Sequence, residues 1–212
     1  MLKKYKRTMI ITSILLLLPI LAGILLWNQL PDTIVTHWNS NWEPDGWTSK
    51  PLAVLGLPTL LLGLHWLSVI VTSADPKRQN LLENKAFVIV LWIIPFISLL
   101  ASSFTLCYAL NITLPMNRII PVFIGLLFII IGNYLPKCRQ SYTFGIKLPW
   151  TLADEDNWRK THHLAGVVWV VGGILILLSG IFSLYIPMFI AFMLMIVIPT
   201  AYSYALYQKS AK

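Results

Sequence analysis

Six stretches of this 212-residue chain stay apolar long enough to cross a bilayer, and nothing else constrains its fold as strongly. They lie near Met9–Trp27, Leu52–Thr72, Ala86–Leu110, Ile119–Leu135, Leu164–Phe182 and Pro187–Tyr207. A helix rises about 1.5 Å per residue, so ~20 apolar residues cross the ~30 Å hydrocarbon core. In lipid every backbone amide must be bonded within its own segment, which leaves helices as the solution. The expected fold is all-α: a polytopic membrane protein with six transmembrane helices. The first span follows Lys3, Lys4, Lys6 and Arg7 as a signal peptide would, but it is longer than the usual h-region and lacks a small-x-small cleavage site. It is expected to be retained.

Orientation follows from the loops. Fourteen of the sixteen Lys and Arg residues fall on one side, leaving Lys50 and Arg118 on the other. Positive charge marks the cytoplasmic face, so both termini are expected there. This bias also accounts for the net charge of +8 without any nucleic acid partner. Only 11% of residues are charged, against about 25% in a soluble domain. No Asp, Glu, Lys or Arg sits well inside a span, which disfavours ion-coupled pumps. His65 and Asn133 are the main polar exceptions, open to an interhelical hydrogen bond or a functional role. A two-helix unit (1–85, with an outer loop at 28–51) and a four-helix unit (86–212, with an inner loop at 136–163) are expected to form one bundle at the cell membrane. Glycines recur seven apart in the second, fourth and fifth spans (Gly56 and Gly63; Gly125 and Gly132; Gly166, Gly173 and Gly180), a spacing that lines one helix face for close packing.

Two polar patches remain for specific work. In the outer loop, Glu43-Pro44-Asp45-Gly46 predicts a turn, and Trp38, Trp42 and Trp47 an aromatic rim at the bilayer surface. The loop is mildly anionic, a surface suited to a cationic amphipathic peptide; His37 lacks the ligand spacing of a metal site. In the inner loop, Thr151-Leu152-Ala153-Asp154 predicts a capping box with Thr151 as the cap. The helix it opens is expected to run through Trp158 into the fifth span. Upstream, Gly145 supplies a turn and Pro149 favours an extended Leu148. Trp150 and Trp158 are expected among lipid headgroups, with Lys147, Arg159 and Lys160 meeting anionic lipids. His162 and His163 point about 100° apart on a helix and do not chelate one ion together. No metalloprotease, nucleophile-elbow or phosphate-loop motif occurs, and no catalytic residue, metal or cofactor is expected.

The residues Gly132-Asn133-Tyr134, Pro136-Lys137, Gly145-Ile146-Lys147, Pro149-Trp150-Thr151-Leu152, Trp158 and Lys160-Thr161-His162 resemble the signature of the SdpI family of bacterial membrane proteins. Leu30-Pro31, His37-Trp38-Asn39, Glu43-Pro44-Asp45-Gly46-Trp47 and Ser49-Lys50 resemble the uncharacterised N-terminal domain often fused to it. The chain departs from that pattern at Trp42, Ser141, Lys147, Leu148 and His163. The resemblance implies immunity to a secreted peptide toxin and retention of a cytoplasmic helix-turn-helix repressor at the membrane. On that basis the toxin-sensing residues are His37, Trp38, Asn39, Asp45, Gly46, Trp47 and Lys50. The docking loop is Asn133, Pro136, Gly145, Lys147, Pro149, Trp150, Thr151, Leu152, Trp158 and His162. The alternative is a small-molecule or lipid transporter or channel.

Overall fold

A computed structural model describes residues 2–83 and 86–210. Lys85 and Lys212, counted in the charge bias, lie outside the described residues. The expected spans appear as helices α1 (Leu2–Leu25), α2 (Leu57–Ala74), α4 (Ala86–Ala109), α5 (Met116–Tyr134), α7 (Glu155–Phe182) and α8 (Tyr185–Ser210). All six are long and apolar enough to cross a membrane. Short helices α3 (Arg78–Glu83) and α6 (Pro149–Ala153) lie in the connections.

The chain packs as two compact units: Met1–Ser73 with Val88–Met116, and Ala74–Phe87 with Asn117–Lys212. This division differs from the expected break at residue 85. The first unit takes in most of α4, while the segment after α2 belongs to the second.

In the first unit the outer loop is an antiparallel hairpin, β1 (Thr33–Trp38) paired with β2 (Pro44–Ser49). Pro44-Asp45-Gly46 is therefore strand, and the turn predicted there lies earlier. Asn39 makes it: its side-chain carbonyl accepts from the Asn41 and Glu43 amides at 2.8 and 3.1 Å, and Trp42 takes φ 65°. The asparagine's self-bonding outcompetes the proline-led turn. Leu30 and Ile34 bury against Ala53 and Val54, with Leu106 of α4 and Leu110 just past its end closing the cluster. A π-helical turn, Leu52–Gly56, leads into α2 just ahead of Pro58, which lacks the amide a regular turn would use. In mid-helix, Thr12 bonds the His65 ring at 3.2 Å, and both side chains are fully buried.

In the second unit α7 lies between α5 and α8. A Cβ on Gly125 would stand 2.6 Å from the Gly173 carbonyl, one on Gly132 3.0 Å from the Gly166 carbonyl, and one on Gly180 2.8 Å from Pro121. The seven-residue glycine spacing thus does bring two antiparallel backbones together. On the adjoining face Gly172 meets Met195, and the Trp169 indole donates to the Met195 carbonyl at 3.0 Å. The pair in the second span does no such work: among the described residues a Cβ on Gly63 meets nothing within 4 Å, and the atoms nearest one on Gly56 belong to Leu52, four residues before it. Remaining helix faces expose Val167, Val171, Leu178, Phe189, Ile196 and similar residues. Lipid solvates such side chains as well as a core does, so no force drives them inward.

Candidate functional site

The hairpin collects every outer-loop residue singled out by sequence. His37 Nδ1 lies 2.5 Å from the Asp45 carboxylate on the exposed face. Gly46 sits opposite His37, where a Cβ would approach the histidine Cβ to 2.9 Å. Lys50 folds back, its ammonium 3.3 Å from Asp32 and 5.5 Å from the centre of the Trp27 ring. Each carboxylate of the loop has a partner: Asp32 the Lys50 ammonium, Asp45 the His37 ring, and Glu43 a 3.3 Å bond from the Asn39 amide. Of the three tryptophans only Trp47 is broadly exposed, at 60%. Trp38 instead packs edge-on against Tyr108 of α4, at 5.7 Å between centroids. Trp38 leaves the aromatic rim, because the strand's alternation turns it toward the helices.

The signature loop is built around a group the sequence reading overlooked, Asp75. Its carboxylate is 2% exposed and accepts four hydrogen bonds. The donors are the Lys77 amide at 2.7 Å, the Ser141 hydroxyl at 2.7 Å, the Tyr142 amide at 3.0 Å and the Thr143 hydroxyl at 2.9 Å. Burial by itself raises this carboxyl's pKa. The bonds from Ser141, Lys77, Thr143 and Tyr142 outweigh it and hold the group below its ordinary value. Gln140 makes a second clasp. Its amide donates to the Thr151 and Leu152 carbonyls at 2.9 and 2.8 Å, its side-chain oxygen accepts from Lys77, and its backbone carbonyl accepts from Asn80. The only local signal for Asp75 is an Asp-Pro pair just past an apolar span.

Thr151 is fully buried and ties the loop's turn, accepting from the Leu148 amide at 2.9 Å and donating to the Ile146 carbonyl at 2.8 Å. The predicted capping box is therefore displaced. Leu148, extended as Pro149 requires, stands at the N-cap position of α6 without a side-chain bond, and Asp154 caps α7 by accepting from the Asp156 amide at 2.8 Å. Thr151 is drawn into the loop because Ile146 and Leu148 offer it buried backbone partners. Gly145 adopts φ +119°, and a Cβ there would strike the His162 and Trp158 rings at 2.6 and 2.7 Å. Those rings stack 4.0 Å apart. His162 Nδ1 faces the Trp158 carbonyl at 2.8 Å, an acceptor, so this nitrogen carries the proton. Nε2 then accepts the Ile146 amide at 2.9 Å. Neutral imidazole is the form that fits.

Trp158 departs from expectation. Trp158 is only 2% exposed and donates to the Cys138 carbonyl at 2.9 Å, so it belongs to the loop's interior and not to the headgroups. Trp150 donates to the Ser203 hydroxyl at 3.0 Å and stacks on Tyr207 of α8. Buried indole N–H groups need acceptors, and the loop's own carbonyls and α8 supply them. Pro136, Lys147 and Pro149 remain exposed, as does Asn133, which bonds the Ile129 carbonyl of its own helix at 3.0 Å. Leu152 is half-buried, held through its carbonyl. The arrangement is a rigid, hydrogen-bonded platform carrying a few exposed polar groups.

A family model for the SdpI/YfhL protein family matches residues 137–203, which hold the signature loop from Lys137 onward but not Asp75. A second, for a domain of unknown function (DUF1648), matches residues 14–62, which contain the hairpin. The immunity protein SdpI of Bacillus subtilis (strain 168) is 31% identical over 207 residues, spanning 94% of this chain and 96% of that protein. The chain belongs to the SdpI/YfhL family. Membership and six apolar helices together make it a multi-pass cell-membrane protein. No solved structure matches it.

Proposed function

We propose that the chain is a membrane immunity protein that protects its cell from a secreted antimicrobial peptide. The carrying observation is the alignment with the immunity protein SdpI, which takes in both the hairpin and the signature platform. In this reading the charge bias puts the hairpin outside and the platform in the cytoplasm. The hairpin offers the peptide Trp47 and the His37–Asp45 pair, an indole beside a polar, partly anionic edge. The platform offers Lys147 and the α6 start to a cytoplasmic helix-turn-helix repressor. Toxin changes repressor docking only by binding one state of the protein better than another. The protein acts by binding and not by catalysis.

The second reading, a small-molecule or lipid transporter, draws on buried polar atoms without partners in the first unit: His65 Nδ1, Ser98 Oγ and Ser102 Oγ. The cavity near Ser102, between Pro19 and Pro58, has a volume of ≈ 10 Å³, room for about one water. That ranks it second.

The test is expression in a strain sensitive to a secreted peptide toxin and stripped of its own immunity gene. Survival rises, and Trp47→Ala lowers it at unchanged membrane abundance. Unchanged killing with the wild-type chain in the membrane defeats the reading.

A further inference from the structure

We propose that a groove along α7 binds the phosphate headgroup of an anionic phospholipid. The groove, ≈ 520 Å³, is floored by Arg159, Lys160, His163, Leu164 and Val167 and flanked by Pro136 and Tyr202. Arg159, His163 and Val167 follow one another at four-residue steps, with Lys160 and Leu164 alongside, so they share a helix face. Along that face the chemistry passes from two cations to two aliphatic side chains within about two turns. A phospholipid makes the same passage from phosphate to acyl chain, whereas a soluble anion has no use for Leu164 and Val167.

Charge points the same way. Among the described residues no acidic side chain lines the groove, and Asp156 at its edge bonds both Arg159 and Lys160, each at 2.6 Å. Within the groove itself the charged lining is cationic, while Glu155 and Asp156 line the neighbouring cavity beside Arg159. The Arg159 and Lys160 side chains are 74% and 46% exposed, free to turn from Asp156 toward a ligand. Cationic clusters where a membrane helix leaves the bilayer meet the anionic lipids of the cytoplasmic leaflet. This inference rests on the membrane placement of α7 and not on the immunity reading.

Native mass spectrometry of the full, delipidated chain tests it, with titration by phosphatidylglycerol, phosphatidylcholine or inorganic phosphate. Phosphatidylglycerol is retained in preference to phosphatidylcholine. The double variant Arg159→Gln/Lys160→Gln weakens retention at least about tenfold, while Lys209→Gln, an exposed cation at the end of α8, leaves it unchanged. Asp156→Asn, by releasing both cations, strengthens it. Equal retention of the two lipids, a double variant that still holds phosphatidylglycerol, or weakening by Asp156→Asn overturns the proposal. Displacement of the lipid by inorganic phosphate also overturns it, in favour of a soluble anion. Variants are compared at matched unfolding temperature. Trp47→Ala leaves lipid retention untouched, so the two readings fail separately.

Discussion

Replacing Asp75 by alanine should unfasten the signature platform while leaving the hairpin intact. The carboxylate accepts from two backbone amides and two hydroxyls in a nearly dry setting. Hydrogen bonds to a charged group contribute about 1.5–3 kcal/mol each, and a buried donor left unpaired costs about 1–3 kcal/mol. The Ser141 and Thr143 hydroxyls stand 3.1 Å apart and can serve one another, so the loss falls mainly on the Lys77 and Tyr142 amides. The net cost is about 3–5 kcal/mol of local stability. That corresponds to roughly 10²- to 10⁴-fold faster amide exchange where opening is local. Hydrogen exchange with mass spectrometry, on peptides covering 138–148 and 33–49, reads this directly: the first accelerates and the second does not. Asp75→Asn, which keeps one acceptor, lies between. The pH dependence has a definite sign. A carboxyl held low in the folded state stabilises fully above its unfolded pKa of about 3.9, and that contribution disappears as pH falls through the lower folded value. Protection of 138–148 should therefore be flat from about pH 8 to 5 and drop only below about pH 4. Unchanged exchange in Asp75→Ala, or loss of protection near neutral pH in the wild type, would refute the reasoning.

Two further predictions concern packing and the buried thiol. Gly173→Ala places a Cβ 2.7 Å from the Gly125 carbonyl and 2.9 Å from the Ile129 amide. It should cost about 1–3 kcal/mol, seen as a lower unfolding temperature in detergent, while Gly63→Ala, with open space around it, changes little. Burial pushes the Cys138 thiol up to about 12, so a maleimide at pH 8 should label Cys138 only after unfolding; rapid labelling of the folded protein would contradict its burial.

Much of this was legible because it depends on local rules. The glycine seam of α5 and α7 was readable from spacing, since seven residues return to one helix face whatever the neighbours are. The same rule misfired for Gly56 and Gly63, because spacing reports a face and not what it meets. Gly145 and Leu148 took the conformations their own chemistry requires. Trp158 did not go to the headgroups, because Cys138, distant in sequence, holds an acceptor for its N–H group. Asp75 lies 66 residues from Ser141 and could not be read as its partner.

The sequence by itself determined the solvent: hydrocarbon forces an apolar run of sufficient length into a helix, and the remaining polar residues are left in a few connections. Tertiary structure decided what those connections became. A loop clasped by Asp75 and Gln140, and a histidine ring closed onto Ile146, depend on hydrogen bonds between residues well apart in the chain. Such bonds form only after the helices have brought their ends together, and no local periodicity records them.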